Sequence, residues 1–519
     1  MSADKPSFYI TTPIYYVNDV PHIGHAYTTL ACDMLARFKR LDGFDVRFLT
    51  GTDEHGQKVQ KSAAAAGEDP QAFCDRVSER FKGLLAAMDF TNDQFIRTTE
   101  DRHKQAAQAL WHRIAANGHI YLDSYAGWYA VRDEAFYGEN ELSDGPDGTK
   151  IAPSGAPVEW VEEESYFFDL SAWQQPLLDF YDANPDFVLP RSRLNEVRSF
   201  VAGGLRDLSI SRTTFDWGVP VPDAPGHIMY VWIDALTNYI TALDFPDTGP
   251  TSTFAKYWPQ ALHIVGKDIL RFHAVYWPAF LMAADLAPPA RVFAHGWWTK
   301  EGQKISKSLG NVLDPFDLVE RFGRDPVRYF MMREVPFGND GDFSADAFVT
   351  RCNADLANGI GNLAQRTLSM IHKNCDGRVP EPGALSTDDQ AFWQQVDSTL
   401  TEVRPHMDAQ ALHTGLETVW SRVAAADAYI SAQQPWALKK TDPDRMNTVL
   451  YVVAEAVRQL AILMQPIVPA AAGRLLDQLG QGADARHFQA LGPGHRLTPG
   501  TPIAKPQGVF PRIEAEEGV

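Results

Sequence analysis

Cysteine is scarce. The chain has four in 519 residues, Cys32, Cys74, Cys352 and Cys375, far apart and with no C-x-x-C pair. That spacing argues against a disulfide framework and a cysteine-built zinc site, and it predicts reduced thiols in a cytoplasmic protein. Long apolar runs are missing too. No eighteen consecutive apolar residues occur, and the polar residues 1–7 pass straight into strand-like Phe8-Tyr9-Ile10. Neither a membrane-spanning helix nor a secretion signal is expected. Positive charge is in deficit, with 47 Lys and Arg against 66 Asp and Glu for a net charge of −19. Such a balance at first argues against a nucleic-acid partner, yet residues 299–378 hold eleven charges of each sign and form a neutral stretch inside an acidic chain. A local positive strip there is compatible with RNA. No membrane or DNA partner is expected. Internal repeats and low-complexity tracts are absent, which excludes solenoids and long disordered tails.

The chain is too long for one core and predicts several domains. Strand and helix signals alternate over residues 1–117 and again over 226–298, which reads as an α/β fold with a doubly wound, Rossmann-type parallel sheet. Between them, residues 118–225 are rich in Tyr, Trp and short β-like runs and read as a connective insertion. Residues 299–350 hold a lysine-bearing loop, residues 351–490 read as an α-helical bundle, and the Pro/Gly-rich residues 491–519 predict a tail packing back on the body.

Two motifs carry the chemistry. His22-Ile23-Gly24-His25 falls where a strand gives way to an amphipathic helix. About 0.03 such His-x-Gly-His matches are expected by chance at this composition. At a helix N-terminus the backbone N–H groups and the helix dipole already favour phosphate. Gly24 leaves space for a flat base, and His22 and His25 can donate to α-phosphoryl oxygens. The alternative is a helix-capping pair with no ligand. Lys304-Ile305-Ser306-Lys307-Ser308 lies in a glycine-flanked loop where Lys304 and Lys307 can neutralise a leaving pyrophosphate. A solvated lysine loop is the alternative there. Asp53, ending the second strand, suits a substrate ammonium or a turn cap. Trp232, Ala235 and Tyr239, with Tyr16 and His273, suit either an apolar pocket or an aromatic core cluster.

These motifs, with Thr12-Pro13-Ile14-Tyr15-Tyr16-Val17-Asn18, Gly51-Thr52-Asp53-Glu54-His55-Gly56, Tyr230-Val231-Trp232-Ile233-Asp234-Ala235-Leu236 and Gly359-Ile360-Gly361-Asn362-Leu363, closely resemble methionyl-tRNA synthetases, a class I aminoacyl-tRNA synthetase family. The match covers nearly the whole chain. The resemblance implies activation of L-methionine by ATP with Mg2+ to methionyl-adenylate, then transfer to the 3′ end of initiator and elongator tRNA(Met). It further implies Ile14, Tyr16, Trp232, Ala235, Tyr239, Ile269 and His273 around the methionine side chain and Asp53 on its amino group. Gly266 and Asp268 would meet the ATP ribose, His295 and Gly296 the adenine, Ser306 the triphosphate, and Arg212 a carboxylate or phosphate. Asn362, Arg366 and Trp436 match the anticodon readers, although a Pro-Trp pair alone reads as a bundle-capping core residue.

Two departures stand out. Many relatives carry a zinc knuckle in the insertion, but Ala130, Asp133, Ile151 and Ser154 stand at the ligand positions, and Ala and Ile supply nothing to a metal. No structural zinc is expected, with aromatic packing holding the knuckle instead. The sequence also leaves no room for the appended dimerising module of some relatives, so a monomer is expected. Rival readings are another class I synthetase, a small nucleotidyltransferase, and a tRNA-binding paralogue without catalysis. The first lacks the large editing insertion or the zinc ligands it would need. The second leaves the helical region unexplained, and the third is at odds with four intact His and Lys residues.

Overall fold

The alternation in the N-terminal part builds a parallel sheet in the computed structural model, which describes residues 5–17, 20–133, 135–145, 148–305 and 312–514, with backbone alone at 125, 135, 163 and 304. In chain order come β1 (Ser7–Thr11), β2 (Tyr15–Tyr16), α1 (Ile23–Leu41), β3 (Asp45–Asp53), α2 (Gln57–Ala66), α3 (Pro70–Met88), β4 (Gln94–Arg97) and α4 (Asp101–Ala116). The sheet runs Val188–Leu189, Arg291–His295, Ala261–Gly266, β1, β3, β2, with β4 also paired to β3. Every pairing in it is parallel. All carboxyl ends therefore open on one side, where ligands bind in such sheets. Asp53, Gly266 and His295 each end a strand there.

α1 departs from the amphipathic stripe expected of it. Its residues from Ile23 to Lys39 are nearly all buried, because the sheet covers one flank while helices Pro70–Met88 and Arg324–Arg333 cover others. Ile228 to Trp232, which reads as strand, is strand only at Ile228–Met229, paired antiparallel with Ser211–Arg212. A helix begins at Val231 and runs to Thr241. Within the insertion, Ile120–Ala130 and Glu159–Phe168 form a long antiparallel pair. The chain then rejoins the main sheet at Val188–Leu189, inside the stretch that the sequence assigns to the insertion.

The C-terminal part is helical, with Asn362–Asn374, Thr387–Asp408, Leu412–Gln433, Pro443–Met464 and Pro469–Gln478 packed together. Pro443–Met464 is long and apolar enough to cross a membrane, but 94% of its apolar window is buried among its neighbours. A mostly apolar helix buried in this way is a core helix, its few charges paired as Arg458 is with Glu455. The tail folds back over this bundle. Val379 exchanges backbone hydrogen bonds with Gly500 and Thr501, Tyr451 donates to the carbonyl of Leu497, and Asn353 bonds Ile513 in both directions.

Candidate active site

At the carboxyl side of the sheet lies a cavity of about 410 Å3 lined by residues from both halves of the sheet domain. His22 is the N-cap of α1 and His25 its third residue, and the two form a reciprocal capping box. The Gly24 N–H donates to His22 Nδ1 and the His22 N–H donates to His25 Nδ1, each at 3.1 Å. Both Nδ1 atoms therefore act as acceptors, which leaves the proton of each neutral ring on Nε2. Burial, with His22 beside it, holds the His25 imidazole well below its ordinary pKa, so this ring is neutral at physiological pH. Capping and cavity lining thus coexist in one motif. A Cβ at Gly24 would meet the His22 ring at 3.0 Å, a tight contact that would push on the capping imidazole.

Across the cavity stand Ile14, Tyr16, Trp232, Ala235, Tyr239, Ile269 and His273, with Asp53, Gly266, Asp268 and His295 completing the wall. Trp232, Ala235 and Tyr239 follow helical spacing and share one face. The His273 Nδ1–H donates to the carbonyl of Ile269, so Nε2 accepts from the Tyr239 hydroxyl at 2.7 Å. Burial pushes the His273 pKa down to about 4. The pocket floor is thus a neutral, hydrogen-bonded Tyr–His pair beside a Trp that stacks on Phe272 with centroids 3.7 Å apart. Such a surface accepts a polarisable thioether and offers no charge to a polar side chain.

Lys58, Asn238 and Trp297 also line the cavity and were not among the residues expected there. Asn238 lies one residue from Tyr239 and Trp297 one residue past Gly296, so position in sequence was the available signal. Gly296 itself does not line the cavity. A Cβ there would come within 2.3 Å of the Asn339 backbone, so its role is close packing. Arg212 is placed differently from expectation. Its guanidinium, 2% exposed, donates to Ser209 and Ser211 and lies 4.6 Å from the Phe136 ring centroid and 4.7 Å from that of Tyr230. It anchors the insertion and is not among the cavity-lining residues.

The strands that lead up to Lys304 begin beside the cavity residue Trp297. Trp298–Lys300 follows directly on Trp297 and pairs antiparallel with Gln303–Lys304. The side chain of Lys304, and Ser306 and Lys307 entirely, lie outside the described residues.

In the insertion, the zinc-ligand positions carry a different construction. Ser154 and Tyr137 both bond the Asp133 carboxylate, Arg132 donates to Ser154, and Ala130, Ala152 and Ala156 pack into a small core with Tyr137 and Val158. Hydrogen bonding and alanine packing add to the aromatic packing expected from sequence, in which Tyr129 lies against Phe136 and Trp128 against Trp160.

On the helical bundle, Asn362 and Arg366 are one turn apart on helix Asn362–Asn374. The Arg366 guanidinium lies 5.4 Å from the ring centroid of Trp436 and pairs with Asp427 at 3.4 Å. Pro435 is buried while Trp436 is 46% exposed, so the tryptophan is not a core cap. An exposed indole beside a guanidinium is a surface on which an unstacked base can lie.

Comparison with known proteins agrees with this geometry. Residues 8–368 match the family of tRNA synthetases class I (M), and residues 379–518 match the anticodon binding domain of methionyl tRNA ligase. The methionine–tRNA ligase of Rhizobium meliloti (strain 1021) is 57% identical, over 99% of both chains. That of Brucella suis biovar 1 (strain 1330) is also 57% identical, over 100% of both. The solved Mycobacterium tuberculosis methionyl-tRNA synthetase in complex with methionyl-adenylate superposes with a TM-score of 0.95 at 55% identity, covering 98% of this chain and 100% of that one. Its apo form gives 0.90 at 51% identity, covering 99% and 100%. Matched along both of its parts, and with a cavity lined by its histidine motif, the chain belongs to the methionyl-tRNA synthetases, class I aminoacyl-tRNA synthetases of the methionine type.

Proposed function

We propose that the 410 Å3 cavity is where this methionine–tRNA ligase joins methionine to ATP, and that its exposed Arg366–Trp436 surface reads the anticodon. The observation that carries the first part is the tautomer lock. With both Nδ1 atoms accepting backbone N–H groups, the ring proton of neutral His22 and of His25 sits on Nε2, the atom from which each would donate to an α-phosphate. In the first step a methionine carboxylate oxygen attacks the α-phosphorus, and pyrophosphate leaves. Donors fixed in place before charge develops stabilise the transition state without reorganising. Asp53 pairs with the methionine ammonium, while Trp232, Tyr239 and His273 surround the thioether. ATP enters as its magnesium complex, the ion carried on the phosphates. Lys304, Ser306 and Lys307 bind the triphosphate, and the two ammonium groups neutralise the leaving pyrophosphate. In the second step a terminal ribose hydroxyl of tRNA(Met), initiator or elongator, attacks the methionyl carbonyl carbon and AMP departs.

Arg212 acts through structure in this reading and not on the carboxylate. The enzyme works in the cytoplasm as a monomer, without structural zinc and without membrane or DNA partners. Methionine-dependent exchange of pyrophosphate into ATP tests the cavity assignment. Asp53→Asn and Trp232→Ala should each raise the KM for methionine at least tenfold. Unchanged methionine kinetics in both would move methionine elsewhere.

A further inference from the structure

A buried carboxylate next to the cavity takes no part in the chemistry above. Asp234 sits on helix Val231–Thr241 between the cavity residues Trp232 and Ala235, but it faces away from them. Its Oδ2 accepts from His55 Nδ1 and its Oδ1 from His103 Nε2, both at 2.7 Å. The three side chains are 1%, 3% and 0% exposed. Burial alone would push this carboxyl up, but the His55 charge and both hydrogen bonds outweigh it and hold the group at about 2. The carboxylate is therefore ionised and fully committed to two imidazoles.

The partners come from separate places. His103 lies on α4, and its Nδ1 contacts the hydroxyl of Thr241, at the far end of the helix that carries Asp234. His55 lies just past β3, two residues after Asp53. Glu54, between them, is fixed independently: Arg97 donates to both its oxygens, Thr52 and Thr99 donate to the carboxylate, and Trp217 donates to its carbonyl. Asp53 is thus carried on a segment whose next two side chains are both locked, and the second lock is Asp234.

We propose that Asp234, held between His55 and His103, is a positioning residue for methionine recognition. It fixes the helix bearing Trp232, Ala235 and Tyr239 against the loop bearing Asp53, so that the apolar pocket and the ammonium site keep one spacing. The proposal rests on the methionine assignment of the cavity. Elements on the phosphate side do not depend on it, since α1 and the strand end at Gly266 are held by other contacts. A group that sets the distance between two subsites alters affinity for the ligand spanning them, and leaves the co-substrate largely unaffected.

The test is methionine-dependent ATP–pyrophosphate exchange on the full chain, with melting temperature measured in parallel. Asp234→Asn keeps the shape and removes the charge. It should raise the KM for methionine tenfold or more while the KM for ATP stays within twofold. His103→Gln retains a donor toward Asp234 and should come within threefold of the unmodified enzyme, whereas His103→Leu should reproduce the methionine defect. If Asp234→Asn does not fold, the His103 pair decides. Lowered melting temperature with both KM values unchanged, or equal kinetics in His103→Gln and His103→Leu, overturns the proposal. If Asp53→Asn is also without effect on methionine, the cavity assignment has failed. If only Asp53→Asn has an effect, the positioning role alone has failed.

Discussion

His25 is held neutral and its proton is confined to Nε2, which makes its ring a hydrogen-bond donor and not a countercharge. Replacing it with asparagine should therefore lower the exchange rate without loosening methionine. The expected loss in kcat is about 10²–10³-fold, or about 3–4 kcal/mol, the usual cost of one preorganised donor. Steady-state exchange kinetics measure this, and a rise in methionine KM at constant kcat would contradict it. His273 makes a second prediction, about pH. Its pKa is lowered to about 4 in the folded state, so the unfolded chain binds more protons between about 4 and 6.5. Its stabilisation is then present near neutrality and is lost as pH falls through that window. Between pH 7 and pH 5 the His273→Asn variant should lose about 2 kcal/mol less than the parent in denaturant unfolding. Equal losses would mean that burial does not depress this imidazole. These individual roles differed in how easily sequence disclosed them. His22, His25 and Asp53 were legible because each sits in a short contiguous motif at a strand or helix end. Arg212 was not, because its aromatic enclosure assembles from Phe136 and Tyr230, far apart in sequence.

The helix Val231–Thr241 presents one face to the cavity and another to α4. Its spacing of Trp232, Ala235 and Tyr239 was readable, but its start was not. Apolar Ile228 to Trp232 fits strand and buried helix equally, and tertiary pairing with Ser211–Arg212 ended the strand after two residues. The return of the insertion to the main sheet at Val188–Leu189 was equally hidden, since two residues carry no periodicity. Arg366 and Trp436, on helices Asn362–Asn374 and Pro435–Thr441, are not among the residues lining the cavity. Trp436→Ala should leave methionine-dependent exchange within twofold and reduce tRNA charging by at least tenfold, consistent with the roughly 1–3 kcal/mol of a base–aromatic stack. Aminoacylation assays beside exchange assays check it, and equal damage to both would make Trp436 structural.

A buried guanidinium joins the two parts of the molecule, beside ion pairs such as Lys39–Asp408 and Arg404–Asp42. Arg328 donates to Asp33 on α1, to the carbonyl of Met88 at the end of α3, and to the carbonyls of Pro466 and Ile467 in the bundle. Burial disfavours both charges, but Arg328 and Arg37 beside Asp33 outweigh it and hold that carboxyl below the usual range. The helix that carries the histidine motif thus also takes part in the contact between sheet and bundle, where Phe38 packs on Phe488. No local pattern announces that role, because the partners lie some 300 residues apart. Asp33→Ala would leave Arg328 buried without a countercharge and should destabilise the protein by about 3–5 kcal/mol in denaturant unfolding. A loss under 1 kcal/mol would show the contact to be dispensable.

The claim on which all else depends is that methionine and ATP meet between the histidine motif and the Trp232–Tyr239–His273 wall. A crystal structure with methionine and a non-hydrolysable ATP analogue tests it most directly. The account predicts the thioether against Tyr239 and His273, and the Nε2 atoms of His22 and His25 at hydrogen-bond distance, about 3 Å, from α-phosphate oxygens. Density for either ligand outside this cavity, or an α-phosphate beyond reach of both imidazoles, would contradict it.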